Sequence, residues 1–170
     1  MTPGNPHDAA LRWLATATTD PDHSHRHWAR STAATLLVPA GRSWDLLSVP
    51  DTLGRPALDV LHRLDDLHRN PGRGPALAHT GRTGFLVPVG TASRWFGTGV
   101  KVAGPGLWTA LPHPARPRPA LHWLVPPDGS GRLVDPALLE LALHDAAARC
   151  HRPRLHAADD SHRPAGHSAG

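Results

Sequence analysis

The stretch from residue 75 to residue 126 consists of short apolar runs separated by turns that contain glycine or proline. The runs read PALAHT, GFLVPV, GVKVAG, LWTALP and LHWLVP. Each run has the length of a strand and is too short for a stable helix, and tight turns between such runs are typical of hairpins. This stretch therefore predicts antiparallel strands rather than a regular parallel βαβ repeat.

Two helices are expected near the N-terminus. Asp8 suits the cap of a first helix that places Trp13 on its apolar side. Asp20 and Pro21 are the N-cap and first helical residue of a second helix. That second helix is polar except for Trp28, which we expect to anchor it to the core.

The clearest helical pattern runs from Ala57 to Leu67, where apolar residues recur at spacings of three and four. Pro56 suits the first turn of this helix, and Asn70-Pro71-Gly72 is expected to end it. Asp135-Pro136 opens a last helix. The helices and strands together predict a chain in which the two kinds of element are mixed irregularly.

Two further strand candidates, at 35–39 and 44–49, are joined by an Ala-Gly-Arg turn. The order of elements then predicts an α+β domain over residues 1–150, with a mostly antiparallel sheet flanked by helices. Residues 151–170 show no periodicity and are rich in basic residues and histidine, so we expect a disordered tail there.

Charge and cysteine content limit the functional classes. The formal net charge is +4, which suits a polyanionic partner such as nucleic acid, although scattered surface charge explains it equally well. The single cysteine, Cys150, excludes an internal disulfide. No apolar run has the length of a signal peptide or a membrane span, so we expect a soluble cytoplasmic protein.

Common catalytic and metal-binding motifs are absent from the sequence. It contains no GxSxG, no GxxxxGK[ST], and no GxGxxG after a strand. The 14 histidines include no HExxH pair, and His23, His25 and His27 fall on a predicted helix that would splay them apart. Motifs alone therefore predict neither a metal site nor a catalytic site.

The order of several segments resembles a known family. TDPDHSHRHWARSTAATLLVPAGRSWDLLSVP is similar to the N-terminal part of the bifunctional DNA primase/polymerase (prim-pol) domain, and GVKVAGPGLWTALPHP to a later segment of it. The resemblance covers residues 9–149 and implies an enzyme of DNA replication. Members of the family join nucleotides with two Mg²⁺ or Mn²⁺ ions, which need carboxylate ligands.

The positions that the resemblance assigns to catalysis are substituted. The family's pair of acids falls on Ser48 and Pro50, its histidine on Gly84 or the adjacent Phe85, and its third Asp on Lys101. A proline offers no side-chain oxygen, and a lysine cation repels Mg²⁺. The resemblance therefore implies a catalytically degenerate member without a metal cofactor and without catalytic residues.

Three nearby residues are weighed as replacements for the lost groups. Asp45 lies three positions before Ser48 and is expected on the opposite face of the strand. Asp51 is expected to cap the following helix, and His79 comes too early in its segment to match the family's histidine. An active site built from these residues stays open as an alternative.

Three functional hypotheses follow. In the first, Lys101 and the arginines near it in sequence bind nucleic acid or a nucleotide without metal; these arginines are Arg42, Arg82 and Arg94. In the second, the domain contacts or regulates another protein. In the third, it is an active primase-polymerase with unrecognised metal ligands. The sequence leaves the oligomeric state open.

Overall fold

The computed structural model describes residues 5–68, 74–97 and 99–159. Within these residues the chain forms four helices and seven strands. In chain order these are α1 (Pro6–Ala15), α2 (Pro21–Arg30), β1 (Thr35–Pro39), β2 (Asp45–Pro50), α3 (Asp51–His68), β3 (Ala76–His79), β4 (Arg82–Val87), β5 (Lys101–Ala103), β6 (Trp108–Pro112), β7 (Leu121–Val125) and α4 (Pro136–Asp159).

The strands form two antiparallel sheets, so the predicted α+β class with flanking helices is confirmed. The larger sheet has the order β5-β2-β4-β3-β7, and β1 pairs with β6 in a separate two-stranded sheet. All pairings are antiparallel. The two strand candidates at 35–39 and 44–49 are both strands, but they belong to different sheets.

Each face of the five-stranded sheet carries its own core. On one face Leu47, Val49 and Phe85 pack with α3 and α4. On the other face Leu77 and Leu86 pack with α1, α2 and the β1–β6 sheet. Since side chains alternate along a strand, Leu46, Ser48 and Pro50 lie on the second of these faces.

The caps of the two N-terminal helices differ from the prediction in one case. Asn5 caps α1, and its side chain accepts a hydrogen bond from the His7 amide at 3.0 Å. The assignment of this cap to Asp8 was wrong, because Pro6 is already in the first turn and Asp8 lies inside the helix. In α2 the predicted Asp20 cap is confirmed: its side chain accepts from the His23 amide at 2.9 Å.

Helix α3 begins at Asp51, earlier than predicted, and contains Pro56 in its interior. The placement of Pro56 in the first turn was wrong because the periodic pattern starts only after the proline. A proline at this position leaves the Thr52 carbonyl without its i+4 partner. The Cys150 Sγ atom of α4 contacts that carbonyl oxygen at 3.6 Å. The predicted helix end at 70–72 lies outside the described residues.

The last helix begins as predicted, with the Asp135 carboxylate accepting hydrogen bonds from the amides of Ala137 and Leu138 at 2.9 and 3.0 Å. Helix α4 continues to Asp159, past the expected start of the tail at 151. Residues 160–170 of that tail lie outside the described residues. Among the helices that the structure describes, none combines the length and apolar character that a bilayer crossing requires.

Candidate functional site

Three of the residues singled out from the sequence lie side by side on the sheet. Ser48 of β2 is directly opposite Gly84 of β4 and Lys101 of β5. Residues directly opposite each other in antiparallel strands point to the same face. The structure therefore brings Ser48, Gly84 and Lys101 into one row across three strands, which we call the Ser48 row.

A second pair lies next to this row on the same face. Pro50 is opposite Arg82. Each lies two residues from the Ser48 row along its strand, so both share the face of that row. The Arg82 guanidinium reaches back over the row, where Nε donates to Ser48 Oγ at 2.9 Å and Nη2 donates to the Ser48 carbonyl at 2.7 Å. Nη2 also donates to the Gly99 carbonyl at 2.7 Å. These bonds fix the side chain, and among the residues that the structure describes Nη1 has no hydrogen-bond partner.

Lys101 differs from Arg82 because its side chain is exposed on the edge strand β5. It forms neither a hydrogen bond nor an ion pair through its ammonium group with the residues that the structure describes. A lysine of this kind presents three donors and a compact charge to the solvent. Lys101 is thus available to an anionic ligand, whereas two of the nitrogen atoms of Arg82 already donate hydrogen bonds within the protein.

The position of Gly84 is closely covered by two leucine side chains. A Cβ atom added there would lie 3.1 Å from Leu46 Cδ1 and 3.3 Å from Leu77 Cγ. These two leucines close the surface where the family resemblance expects a histidine. The neighbouring residue Phe85 is fully buried in the core on the opposite face. Neither position offers a group that binds phosphate.

The acids considered as replacements point away from the Ser48 row. Asp45 is fully buried, and its Oδ2 atom accepts hydrogen bonds from the amides of Gly90 and Ala92, each at 2.9 Å. Asp51 accepts a hydrogen bond from Thr83 Oγ1 at 2.6 Å on the helix-covered face. Both carboxylates therefore stabilise the fold. Asp45 binds the loop after β4, and Asp51 binds β4 itself.

His79 is exposed at the end of β3, where it is opposite Arg82. It shares the face of the Ser48 row but lies two strands away from Ser48. Within the described ranges, no group of three or more His, Cys, Asp or Glu side chains is arranged to hold a metal ion. The described part of this face therefore offers no set of ligands for Mg²⁺ or Mn²⁺.

Two of the four predicted basic residues lie elsewhere. Arg42 is in the loop between β1 and β2, where its Nη1 donates to Thr19 Oγ1 at 3.1 Å. Arg94 lines a cavity with Val49 and with residues of α4, on the helix-covered side of the sheet. Of the three arginines that the first hypothesis groups with Lys101, Arg82 therefore lies on the same face, and Arg42 and Arg94 do not.

The face around Ser48 combines a fixed guanidinium with a free ammonium and carries no carboxylate at its five central positions, which are Ser48, Pro50, Arg82, Gly84 and Lys101. Sequence reasoning gave Arg82 only a general role as a basic residue. The spacing of two residues between Arg82 and Gly84 could have predicted that Arg82 lies on this face, because residues two apart on a strand share a face. This arrangement attracts anions and repels divalent cations.

Comparison with known proteins adds no identification. The chain matches no protein-family model, no curated protein and no solved structure. The resemblance to prim-pol domains therefore stays a prediction that depends on the sequence segments alone.

Proposed function

We propose that this domain is a catalytically degenerate relative of the prim-pol family that binds the phosphate groups of nucleic acid or of a nucleotide without metal. One observation carries the proposal: Lys101 lies directly beside Ser48 in the sheet, with Arg82 bonded over the same residue. Of the three positions that the resemblance assigns to metal binding, Ser48 and Pro50 are thus uncharged and Lys101 is positive.

The physical argument is a reversal of charge. A triphosphate held by two divalent cations needs carboxylates behind the cations, whereas phosphate held directly by the protein needs cations and hydrogen-bond donors. Lys101 supplies both, and Arg82 adds a second positive charge whose position is fixed by Ser48 and Gly99. Phosphate contacts of this kind depend strongly on salt, because binding releases counterions from the nucleic acid.

The salt dependence of binding tests the proposal. We expect the affinity for a labelled single-stranded oligonucleotide to fall steeply as salt is raised from about 50 mM to about 200 mM. The Lys101→Gln variant is expected to reduce the slope of log K against log salt by about 0.7 for one lost contact with single-stranded nucleic acid. Arg63→Gln removes the same charge from an exposed position on α3, across the sheet, and serves as the matched control.

Two results would count against phosphate binding. The first is a lack of oligonucleotide and nucleotide binding by the folded protein at about 50 mM salt. The second is an equal loss of affinity in Lys101→Gln and Arg63→Gln, which would show that the charge acts without regard to position. A primer-synthesis assay with Mg²⁺ or Mn²⁺ separates binding from catalysis, and we expect no product because Asp45 and Asp51 face away from Ser48.

Protein contact is the second candidate function, and one observation favours it. Phe96, in the loop after β4, is 88% exposed and lines a cavity together with Trp95 and Leu143 of α4. Large exposed aromatic side chains are enriched at protein interfaces. If oligonucleotides and nucleotides fail to bind, this surface becomes the first place to mutate in a search for a protein partner.

A further inference from the structure

A second surface that fits a nucleic-acid ligand lies on the two-stranded sheet, outside the Ser48 row. Trp108 of β6 is opposite Pro39 of β1, and this residue is 68% exposed. The other five tryptophans, all within the described residues, are buried or half-buried. Leu37, two residues from Pro39 on the same face, is 65% exposed. The outer face of this sheet is therefore apolar and open, while its inner face packs into the core.

A cavity of about 340 Å³ adjoins the indole, between the β1–β2 loop and the turn that precedes β6. The two segments are held together by a hydrogen bond from the Ala40 amide to the Leu107 carbonyl at 2.8 Å. Gly41 allows this approach, because a Cβ atom there would lie 2.3 Å from the backbone nitrogen of Pro105. The walls of the cavity are thus set by backbone packing.

Arg42 lines the same cavity as Trp108. Its guanidinium is oriented by the hydrogen bond to Thr19 Oγ1, and the side chain is otherwise exposed. None of the residues that line the cavity in the described structure is acidic. A flat aromatic surface therefore lies beside a cation that has no carboxylate partner at this site.

We infer that Trp108 and Arg42 form a binding site for one nucleotide unit, in which a base stacks on the indole and the adjacent phosphate contacts the guanidinium. This inference rests on the proposed function and specifies how the ligand is recognised. Stacking on aromatic side chains is the common mode of single-strand binding, because every base has a flat π-face. Paired bases in a duplex do not expose that face, so the site selects single strands or free nucleotides.

Charge distinguishes this ligand from the main alternative for an exposed aromatic surface. Proline-rich peptides also dock on aromatic grooves, but they supply no anion for Arg42. The guanidinium next to Trp108 matches phosphate in its geometry of donors. The overall charge of +4 also favours the anionic ligand.

The test compares oligonucleotides with and without bases. We expect Trp108→Ala to weaken binding of an oligothymidylate of about 12 nucleotides by about 5- to 150-fold, the range for loss of one stacked base. Binding of an abasic deoxyribose-phosphate chain of the same length is expected to stay unchanged. Trp108→Phe, which keeps a ring, is expected to retain most of the affinity. Phe96→Ala removes an exposed aromatic side chain from the other side of the molecule and is the matched control.

Further binding measurements distinguish a free nucleotide from a single strand as the ligand, and they separate failure of this inference from failure of the proposed function. Trp108-dependent binding of thymidine monophosphate would identify a free nucleotide as sufficient, and dependence only with the oligonucleotide would identify a single strand. Equal oligothymidylate affinity for wild type and Trp108→Ala would overturn the stacking site, while a persisting effect of Lys101→Gln would preserve the proposed function. Trp108-dependent capture of a proline-rich peptide, with no oligonucleotide binding, would overturn both.

Discussion

Arg82 and Lys101 bring two positive charges to Ser48, but they hold them in different ways. Arg82 uses Nε and Nη2 to bond Ser48 and Gly99. Lys101 is exposed and reaches into solvent from the edge strand. The first residue therefore contributes mainly to the structure of the face, and the second mainly to its affinity for a ligand. Substitutions at the two positions are expected to separate these contributions.

The charge of Lys101 gives the first prediction. We expect Lys101→Asp to weaken nucleotide or oligonucleotide binding by about 1–3 kcal/mol, because a charge-assisted contact becomes a repulsive one. Lys101→Arg keeps the charge and is expected to retain most of the affinity. Fluorescence anisotropy titration at low salt measures both. Lys101→Asp is not expected to restore polymerisation, because Ser48 and Pro50 still lack carboxylates.

An unchanged affinity in Lys101→Asp would show that no anion binds at the Ser48 row. In that outcome the site proposed at Trp108 and Arg42 is tested by itself, since Trp108 lies on the other sheet and Arg42 in the loop between β1 and β2.

The bonds of Arg82 give the second prediction. Arg82→Gln removes a half-buried guanidinium that holds β2, β4 and the segment before β5 together, and leaves two backbone carbonyls without their donor. We expect the free energy of unfolding to fall by about 1–3 kcal/mol. Ser48→Ala removes only the hydroxyl partner and is expected to cost less. Urea denaturation followed by tryptophan fluorescence compares the two variants, and an equal loss would contradict this assignment of roles.

At the residue scale the sequence predicts part of this site. Alternation along β2 correctly separates Asp45 from Ser48, because side chains on a strand change face at every residue. The contact between Arg82 and Ser48 depends on the rotamer of a long side chain and on the register of β2 against β4, which no local pattern contains. The separation of Arg42 and Arg94 from Lys101 likewise depends on where the loop that carries each arginine packs against the sheets.

At the scale of elements, the main differences from expectation come from residue types that occur in more than one structural setting. Proline is frequent in the first turn of helices, but α3 already starts at Asp51, so Pro56 lies within the helix. The turn at 40–42 resembles a hairpin turn, yet it carries the chain from β1 in one sheet to β2 in the other. Turn-forming residues predict that the chain reverses, and long-range packing decides which strand it then meets.

The contact between α3 and β4 gives the third prediction. A Cβ atom at Gly54 would lie 2.4 Å from the Thr83 Cβ atom, so the glycine allows the first part of α3 to approach the sheet. Alanine improves helix propensity by about 1 kcal/mol, but the overlap forces α3 away from β4. We expect Gly54→Ala to lower the free energy of unfolding by about 1–3 kcal/mol.

Thermal or urea unfolding measures this change. Arg55→Ala, at the adjacent exposed position of α3, is the control and is expected to change stability by about 0.5 kcal/mol or less. A stabilised Gly54→Ala protein would show that propensity outweighs the packing and that α3 and β4 have room to separate.

At the scale of the whole molecule, the five-stranded sheet separates two cores, and the second core depends on a polar connection. His113 follows β6 and is only 2% exposed. Its Nδ1 atom accepts from the Ala115 amide at 3.1 Å, and its Nε2 atom lies 3.2 Å from the Trp28 carbonyl of α2 and 2.7 Å from Arg116 Nη1. A neutral ring protonated on Nε2 donates to the Trp28 carbonyl and accepts at Nδ1. The positive charge of Arg116 beside Nε2 opposes a second charge on the ring. His113 therefore joins α2 to the end of the β1–β6 sheet while staying uncharged.

This buried histidine gives the last prediction. Burial lowers the pKa of His113 below 6.5, and the nearby Arg116 and His7 charges lower it further, although the Trp28 carbonyl opposes them. The unfolded chain then binds a proton that the folded chain rejects, so stability is full above about pH 6.5 and falls as the pH drops below it. The lowered pKa values of Asp8, caused mainly by its hydrogen bond from His25, and of Asp128, caused mainly by Ser130, act in a separate window below 3.8.

We expect the free energy of unfolding to be lower at about pH 5 than at about pH 7.5, as measured by urea denaturation at both values. His113→Gln cannot gain a proton, so its stability is expected to be lower at about pH 7.5 but to change less between the two pH values. His79→Gln, at an exposed position, is expected to keep the wild-type dependence. If His113→Gln retains the full dependence, the loss at low pH originates elsewhere, and the connection between α2 and the β1–β6 sheet does not govern stability in this range.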